Sequence, residues 1–131
     1  MDIRHICMVD DDPDDYYLFS LALKEVSASI EITWIKTGKT LLTNLYSNNG
    51  TLPDLILLDM NMPGENGLEC LQKIKKDSRF KSTPVVIFST ASSPAIIKRA
   101  YECGALKYLI KPHSIEGLTT IIKQLVAILQ H

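Results

Sequence analysis

Short apolar runs alternate along the chain with segments in which apolar residues recur every three or four positions. Five such runs occur, at residues 3–9, 30–35, 55–58, 84–88 and 106–110. Continuous runs of this length are typical of strands that are buried on both faces of a parallel sheet. The segments between and after them have the spacing of amphipathic helices. The pattern therefore predicts five strands alternating with five helices.

Residues that favour helix ends lie at the borders of these segments. Asp12 is a suitable cap, and Pro13 a suitable first residue, for a first helix of about 14 residues. Pro94 is placed to open the fourth helix and Gly104 to close it. Clusters of turn-forming residues predict two loops, at residues 47–50 and 63–67.

The alternation predicts an α/β fold in which helices cover both faces of a five-stranded parallel sheet. Right-handed crossovers favour a doubly wound, flavodoxin-like (βα)5 sheet with strand order 2-1-3-4-5. A closed eight-stranded barrel would need about 250 residues, and the chain has 131. We expect one domain over residues 1–131, with no chain left for an output domain after the fifth helix.

Composition and charge exclude several classes of partner. The chain carries 14 basic and 15 acidic residues, which gives no electrostatic basis for binding nucleic acid or an anionic membrane. No apolar run approaches the roughly 20 residues that span a bilayer. The three cysteines, Cys7, Cys70 and Cys103, form no CxxC pair, so we expect buried apolar side chains and a reducing, cytoplasmic location.

Polar residues that can do chemistry follow four of the five predicted strands. In open α/β sheets, ligands bind outside the carboxyl ends of the strands, so these residues are expected to converge. The second strand is followed by Lys36, Thr37 and Gly38, which are weaker candidates for a functional site. The candidates at the other four strand ends are Asp10 and Asp11, then Asp59, then Ser89 and Thr90, and finally Lys111.

Carboxylates that are packed together resist ionisation unless a cation joins them. Oxygen ligands suit a hard ion such as Mg²⁺, and an ammonium and a hydroxyl are suitable partners for phosphoryl oxygens. An aspartate can itself be the nucleophile and form an aspartyl phosphate. The strand ends therefore predict a site for Mg²⁺ and a phosphoryl group. The neighbouring acids Asp12, Asp14 and Asp15 are interpreted as helix-cap and helix-dipole residues.

The runs VDDDPDD (residues 9–15) and LDMNMPG (residues 58–64), together with the pair Lys111-Pro112, resemble the receiver domain of two-component response regulators. The resemblance covers essentially the whole chain. It implies that Asp59 is the phosphoacceptor. It also implies a Mg²⁺ site formed by Asp11, Asp59, the backbone carbonyl of Asn61 and, through water, Asp10.

The same resemblance assigns roles to residues of the last two strands. Lys111 and Ser89 would contact the phosphoryl group, with Thr90 as the less favoured hydroxyl. Ser89 and Tyr108 would form the switch, in which Ser89 moves and Tyr108 turns inward. The bond between Lys111 and Pro112 is a candidate cis peptide.

The resemblance also implies partners. A histidine kinase or a phosphotransfer protein would supply the phosphoryl group, and a protein partner would read the change on the face formed by helix 4, strand 5 and helix 5. Self-phosphorylation and autodephosphorylation would be the only catalytic activities. A homodimer through that face is expected from the apolar side chains of helix 5: Leu118, Ile122, Leu125, Val126 and Leu129.

Other functions stay open at this point. A pseudo-receiver would bind partners without phosphorylation, although every matched site residue is present. A haloacid-dehalogenase-type phosphatase also uses an aspartate nucleophile and Mg²⁺, but it needs a second acid where this chain has Asn61. The run Thr37-Gly38-Lys39-Thr40 resembles the end of a P-loop, but Thr33 stands where that motif needs glycine, which favours a simple strand–helix turn.

Overall fold

The computed structural model describes residues 3–47, 52–62, 66–78 and 80–129. Five strands alternate with five helices, and all neighbouring strands are parallel. The strand order is β2-β1-β3-β4-β5, as predicted. The elements are β1 His5–Val9, α1 Pro13–Val26, β2 Glu31–Ile35, α2 Gly38–Ser47, β3 Leu55–Leu58, α3 Gly67–Lys76, β4 Val85–Ser89, α4 Pro94–Glu102, β5 Lys107–Ile110 and α5 Ile115–Leu129.

Alternate residues of the central strands supply two separate cores, one on each face of the sheet. On β1, Cys7 and Val9 face one core, while Ile6 and Met8 face the other. The first core is closed by buried side chains of α2, α3 and α4, and the second by those of α1 and α5. Because both faces are covered, the strands need the continuous apolar runs from which they were predicted.

Side chains at the helix ends account for several element boundaries. Asp12 caps α1, since its carboxylate accepts a 2.9 Å hydrogen bond from the N–H of Asp14. Asn66 caps α3 by accepting from the N–H of Glu69. Gly104 follows α4 with a φ of +104°, a conformation that favours glycine. The predicted turn residues 48–50 and loop residues 63–65 lie outside the described residues.

Four of the five predicted strands begin one or two residues earlier than the observed ones, and the third has the predicted bounds. The run at residues 3–9 predicts a strand from residue 3, whereas β1 begins at His5. The carboxylate of Asp54 accepts hydrogen bonds from the N–H groups of Arg4 and His5 at 2.9 and 3.0 Å. Ile3 is nevertheless buried. The apolar run therefore indicates which residues are buried, and burial extends to Ile3, beyond the hydrogen-bonded strand.

The apolar side chains of α5 correct one expectation. Leu118, Ile122 and Leu125 are buried in the core against α1, so they present no docking surface. Val126 packs against the same core, and the side chain of Leu129 lies outside the described residues. The apolar stripe is wide because one helix both contacts the sheet and packs on α1. Among the described side chains of α5, the exposed large apolar ones are instead Ile115 and Ile128.

The cysteines agree with the sequence expectation in part, because two of the three are buried. None of the three forms a disulfide, and Cys7 and Cys70 are buried while Cys103 is half-buried. Burial raises the pKa of Cys7 to about 12, so its thiol is protonated and unreactive at neutral pH. None of the helices formed by the described residues combines the length and the apolar character that crossing a bilayer requires.

Candidate functional site

Backbone hydrogen bonds of the sheet extend past the strand ends and hold the predicted site residues in place. The N–H of Asp10 donates to a carbonyl of β2 at 3.0 Å, and that of Asp59 to a carbonyl of β1 at 3.0 Å. The N–H of Lys111 donates to the last carbonyl of β4 at 2.9 Å. Three residues from distant parts of the chain are therefore fixed at one edge of the sheet by its own ladder.

Three carboxylates meet at this edge. One oxygen from each of Asp10, Asp11 and Asp59 lies within 4.8 Å of the others. Asp10 and Asp59 are 1% and 5% exposed, whereas Asp11 is exposed to solvent. Negative charges this close together repel each other, so the cluster is stable only with positive charge nearby.

Lys111 supplies positive charge within the cluster. Its Nζ lies 2.7 Å from Oδ2 of Asp10, 2.7 Å from Oδ2 of Asp15 and 3.4 Å from Oδ2 of Asp59. The ammonium also lies 5.8 Å from the centre of the Phe88 ring. The lysine predicted from its position after β5 therefore contacts both buried acids of the site.

Burial and charge act in opposite directions on the two central groups. Burial raises the pKa of Asp10 to about 6, while Lys111 and the N–H of Asp12 lower it and Asp59 raises it further. Burial alone lowers the pKa of Lys111, but its close contacts with Asp10 and Asp15, together with the charges of Asp10 and Asp59, raise it above its ordinary value. The lysine is therefore charged throughout the physiological range.

The donor set fits a hard divalent cation. Oδ1 of Asp10 accepts from the N–H of Asp12, but its Oδ2 is buried and has no hydrogen bond among the described residues. That oxygen has only the ionic contact with Lys111. An oxygen in this state, next to two further carboxylates, is a suitable ligand for Mg²⁺. The N–H of Asn61 donates to Oδ1 of Asp59 at 3.3 Å, and a metal contact of the Asn61 carbonyl stays a prediction.

Of the two hydroxyls after the fourth strand, the geometry favours Ser89. Ser89 is fully buried as the last residue of β4, whereas Thr90 is exposed. The Ser89 hydroxyl accepts a hydrogen bond from the N–H of Ala91 at 3.2 Å.

The environment of Tyr108 shifts the pKa of its hydroxyl. Burial raises this pKa, the Ser89 hydroxyl lowers it and the charge of Asp59 raises it. The Tyr108 ring already faces inward, being 8% exposed, although it was expected to turn inward only on activation.

Two details of the predicted site are now settled by the geometry. The bond between Lys111 and Pro112 is trans, so the expected cis peptide is wrong. The trans form is favoured by about 0.5–1 kcal/mol before proline, and it already places the lysine among the acids. The P-loop-like run forms a strand–helix turn, in which the hydroxyl of Thr37 accepts from the N–H of Thr40 at 3.1 Å.

Asp15 is the site residue that sequence reasoning missed. Its position in the first turn of a helix favoured a helix-dipole role, yet its carboxylate contacts Lys111. The available signal was its spacing, because Asp15 lies one turn after the cap and α1 begins directly at the site edge.

The sheet order, the acidic edge and the lysine together can be compared with known proteins. Residues 6–123 match the family of response regulator receiver domains. The chain belongs to this family. One relative, the probable methanogenesis regulatory protein FilR2 of Methanothrix harundinacea, is 32% identical over 123 residues, which cover 92% of this chain and 79% of the relative.

Two solved structures of response regulators share the receiver fold. The phosphorylated cyanobacterial phytochrome response regulator RcpA superposes with a TM-score of 0.86 at 31% identity, covering 94% of this chain and 91% of its own. The Mn²⁺-bound form of response regulator Rcp1 superposes with a TM-score of 0.84 at 28% identity, covering 93% and 91%. The receiver fold accounts for residues 6–123, and the prediction of a single domain over the whole chain stays a prediction.

Proposed function

We propose that this receiver domain is a phosphoryl-accepting switch, in which Asp59 takes a phosphoryl group from a histidine kinase or a phosphotransfer protein. The observation that carries the proposal is the position of Asp59, beside Asp10 and Asp11 and 3.4 Å from the ammonium of Lys111. A carboxylate in such surroundings can attack phosphorus only if the repulsion between anions is offset. The carboxylates outnumber the single ammonium, so further positive charge is needed to offset their repulsion.

Mg²⁺ is the cofactor that we propose for this role, held by Asp11 and Asp59 directly, by the carbonyl of Asn61 and by Asp10 through water. The buried Oδ2 of Asp10 supports the proposal, because among the described residues it has only its ionic contact with Lys111 and no hydrogen bond. When bound, the ion would neutralise charge on the transferring phosphoryl group.

The chain's own residues supply the remaining chemistry. An oxygen of Asp59 bonds to phosphorus while the phosphorus–nitrogen bond of the donor phosphohistidine breaks and its electron pair leaves with the imidazole nitrogen. Lys111 is already within reach and donates to a phosphoryl oxygen. The same Asp59 would accept the group from a small phosphoryl donor, and water would remove it.

The hydroxyl of Ser89 connects phosphorylation to the rest of the molecule in this proposal. A phosphoryl oxygen on Asp59 would attract that hydroxyl and so weaken its contact with the N–H of Ala91. The carbonyl of Ala91 accepts the hydrogen bond of Tyr108, so movement of Ala91 reaches β5 directly. The loop after β4 is therefore the two-state element that the phosphoryl group biases.

The output surface that we propose is the face formed by α4, β5 and α5. It exposes four large apolar side chains, each 44–49% accessible: Tyr101, Leu106, Ile110 and Ile128. Because β5 is the edge strand of the sheet, this face is free to accept a partner. A second copy of the chain is one occupant that we propose, and a downstream protein is the other.

Acetyl phosphate with Mg²⁺ tests the proposed function. Mass spectrometry of the intact protein should detect the gain of one phosphoryl group, which Asp59→Asn abolishes. Asp14→Asn is the matched control, because it removes the same charge from an exposed side chain. It should leave the mass gain intact.

The alternatives give different results in the same experiment. A pseudo-receiver would gain no mass under any condition. A phosphatase of the aspartate-nucleophile type would release phosphate from a monoester such as p-nitrophenyl phosphate with repeated turnover. Either result would contradict the proposed switch.

A further inference from the structure

The carboxylate of Asp15 reaches the site from α1 and not from a strand end. Its Oδ2 accepts a hydrogen bond from Nζ of Lys111 at 2.7 Å. This contact is as short as the ionic contact between Lys111 and Asp10, and shorter than the 3.4 Å hydrogen bond from Lys111 to Asp59. Asp10 and Asp15 therefore hold the ammonium more closely than Asp59 does.

The unequal distances have a consequence for Asp59. An ammonium has three donors, and here they are shared among three acids. A donor that Lys111 directs to Asp15 is not available to Asp59. Without Asp15, the ammonium would be free to form a tighter pair with Asp59 and compete with a metal ion for the same carboxylate oxygens.

We infer that Asp15 is a positioning residue, which holds Lys111 back from Asp59 in the unphosphorylated protein and so keeps Asp59 available for Mg²⁺. The inference rests on the proposed function, because it concerns the same metal site. It gives Asp15 a role that its place in the helix does not require.

A purely helical role for this acid can be separated from the positioning role. Asp14 and Asp15 both lie in the first turn of α1, so both stabilise the helix dipole. Asp14 is exposed and has no ion pair with any described residue, whereas Asp15 is one-third exposed and paired with Lys111. Asp14→Asn is therefore a matched control for Asp15→Asn.

The first measurement is a Mg²⁺ titration, which is monitored by the amide chemical shifts of residues 10–12 and 59–61. Asp15→Asn should weaken Mg²⁺ binding about tenfold, which is the usual effect of removing a residue that orients the groups of a metal site. Asp14→Asn should weaken it by less than about twofold, because its charge is screened by solvent. Equal effects of the two substitutions would overturn the inference.

A second background shows whether Asp15 acts through Lys111. In a Lys111→Met protein there is no ammonium to hold, so Asp15→Asn should change Mg²⁺ affinity no more than Asp14→Asn does. If the full loss persists without the lysine, Asp15 acts by its charge alone and the positioning role is wrong.

A metal-free measurement separates the inference from the proposed function. The N–H of Asn61 donates to Oδ1 of Asp59, so its amide resonance reports on that carboxylate. Asp15→Asn should shift this resonance without metal, and Asp14→Asn should not. An unshifted resonance overturns the inference whether or not Mg²⁺ binds, whereas a wild-type protein that binds no Mg²⁺ contradicts the proposed function.

Discussion

The hydroxyl of Tyr108 donates a 2.6 Å hydrogen bond to the carbonyl oxygen of Ala91. The bond joins β5 to the loop that follows β4, and that loop also holds the hydroxyl of Ser89 through the N–H of Ala91. One residue, Ala91, therefore contacts both predicted switch residues, by its N–H on one side and its carbonyl on the other. The inward ring of Tyr108 is the position that this contact stabilises.

Removing the Tyr108 hydroxyl should weaken this link. Tyr108→Phe leaves the Ala91 carbonyl without its donor, so we expect a loss of about 1 kcal/mol in the free energy of unfolding. The amide shifts that acetyl phosphate induces in β5 should become smaller, because no hydrogen bond then connects Ala91 to the ring of residue 108. Urea unfolding and amide spectra measure the two effects. Tyr17→Phe, on an exposed ring, is the control and should change neither.

Close packing behind Asp59 leads to a second prediction. A Cβ at Gly67 would lie 2.6 Å from the carbonyl oxygen of Asp59 and 2.8 Å from Cα of Met60. These are backbone atoms, so Gly67→Ala must displace the segment that carries Asp59. We expect a loss of roughly 1–3 kcal/mol in stability, together with slower phosphorylation by acetyl phosphate.

Gly104→Ala separates these two effects. Gly104 has a φ of +104°, so alanine there is strained by roughly 1–2 kcal/mol. The added Cβ would meet the side chain of Lys75 and not the site. Phosphorylation of the folded Gly104→Ala protein should proceed at the wild-type rate. If both variants phosphorylate equally slowly, the effect of Gly67→Ala comes from stability alone.

The exposed face of α4, β5 and α5 gives a third prediction. If two copies associate there, Ile110→Lys places a charge in the apolar contact and should abolish the dimer. Ile115→Lys is the control, since Ile115 is 60% exposed but lines a groove with Leu18 of α1 and Lys111 at the site edge. Light scattering with and without acetyl phosphate measures the mass. A monomer under both conditions would leave a downstream protein as the occupant.

The sequence was sufficient for the sheet and for the residues at its strand ends, because both depend on chain-local patterns. Apolar runs mark strands, and a residue directly after a parallel strand must lie at the carboxyl edge. Contacts that depend on how a helix is rotated against the sheet could not be predicted in this way. The pairing of Asp15 with Lys111 and the burial of the α5 stripe against α1 both belong to that second kind.

The inward position of Tyr108 could not be predicted for a related reason. Its strand position is settled by the apolar run, but the direction of the ring also depends on its packing in the first core and on its hydrogen bond to a loop carbonyl. A loop conformation of that kind has no periodic signal in the sequence.

Burial of Asp10 gives the last prediction, which concerns metal-free protein. The folded protein keeps a proton on Asp10 up to a pKa of about 6, whereas the unfolded chain releases it near the ordinary value of 3.8. Between these values the folded state binds more protons, so the free energy of unfolding falls as pH rises from about 4 to 6. Asp10→Asn cannot ionise and lacks this contribution. The free energy of unfolding can be measured in EDTA by urea titration, with Trp34 fluorescence as the signal. The free energy of Asp10→Asn minus that of the wild type should rise from pH 4 to pH 6 and stay constant above pH 6. A difference that does not change with pH would show that Asp10 ionises normally. Burial would then not disfavour the metal-free carboxylate, and this argument for a metal ion beside it would fail.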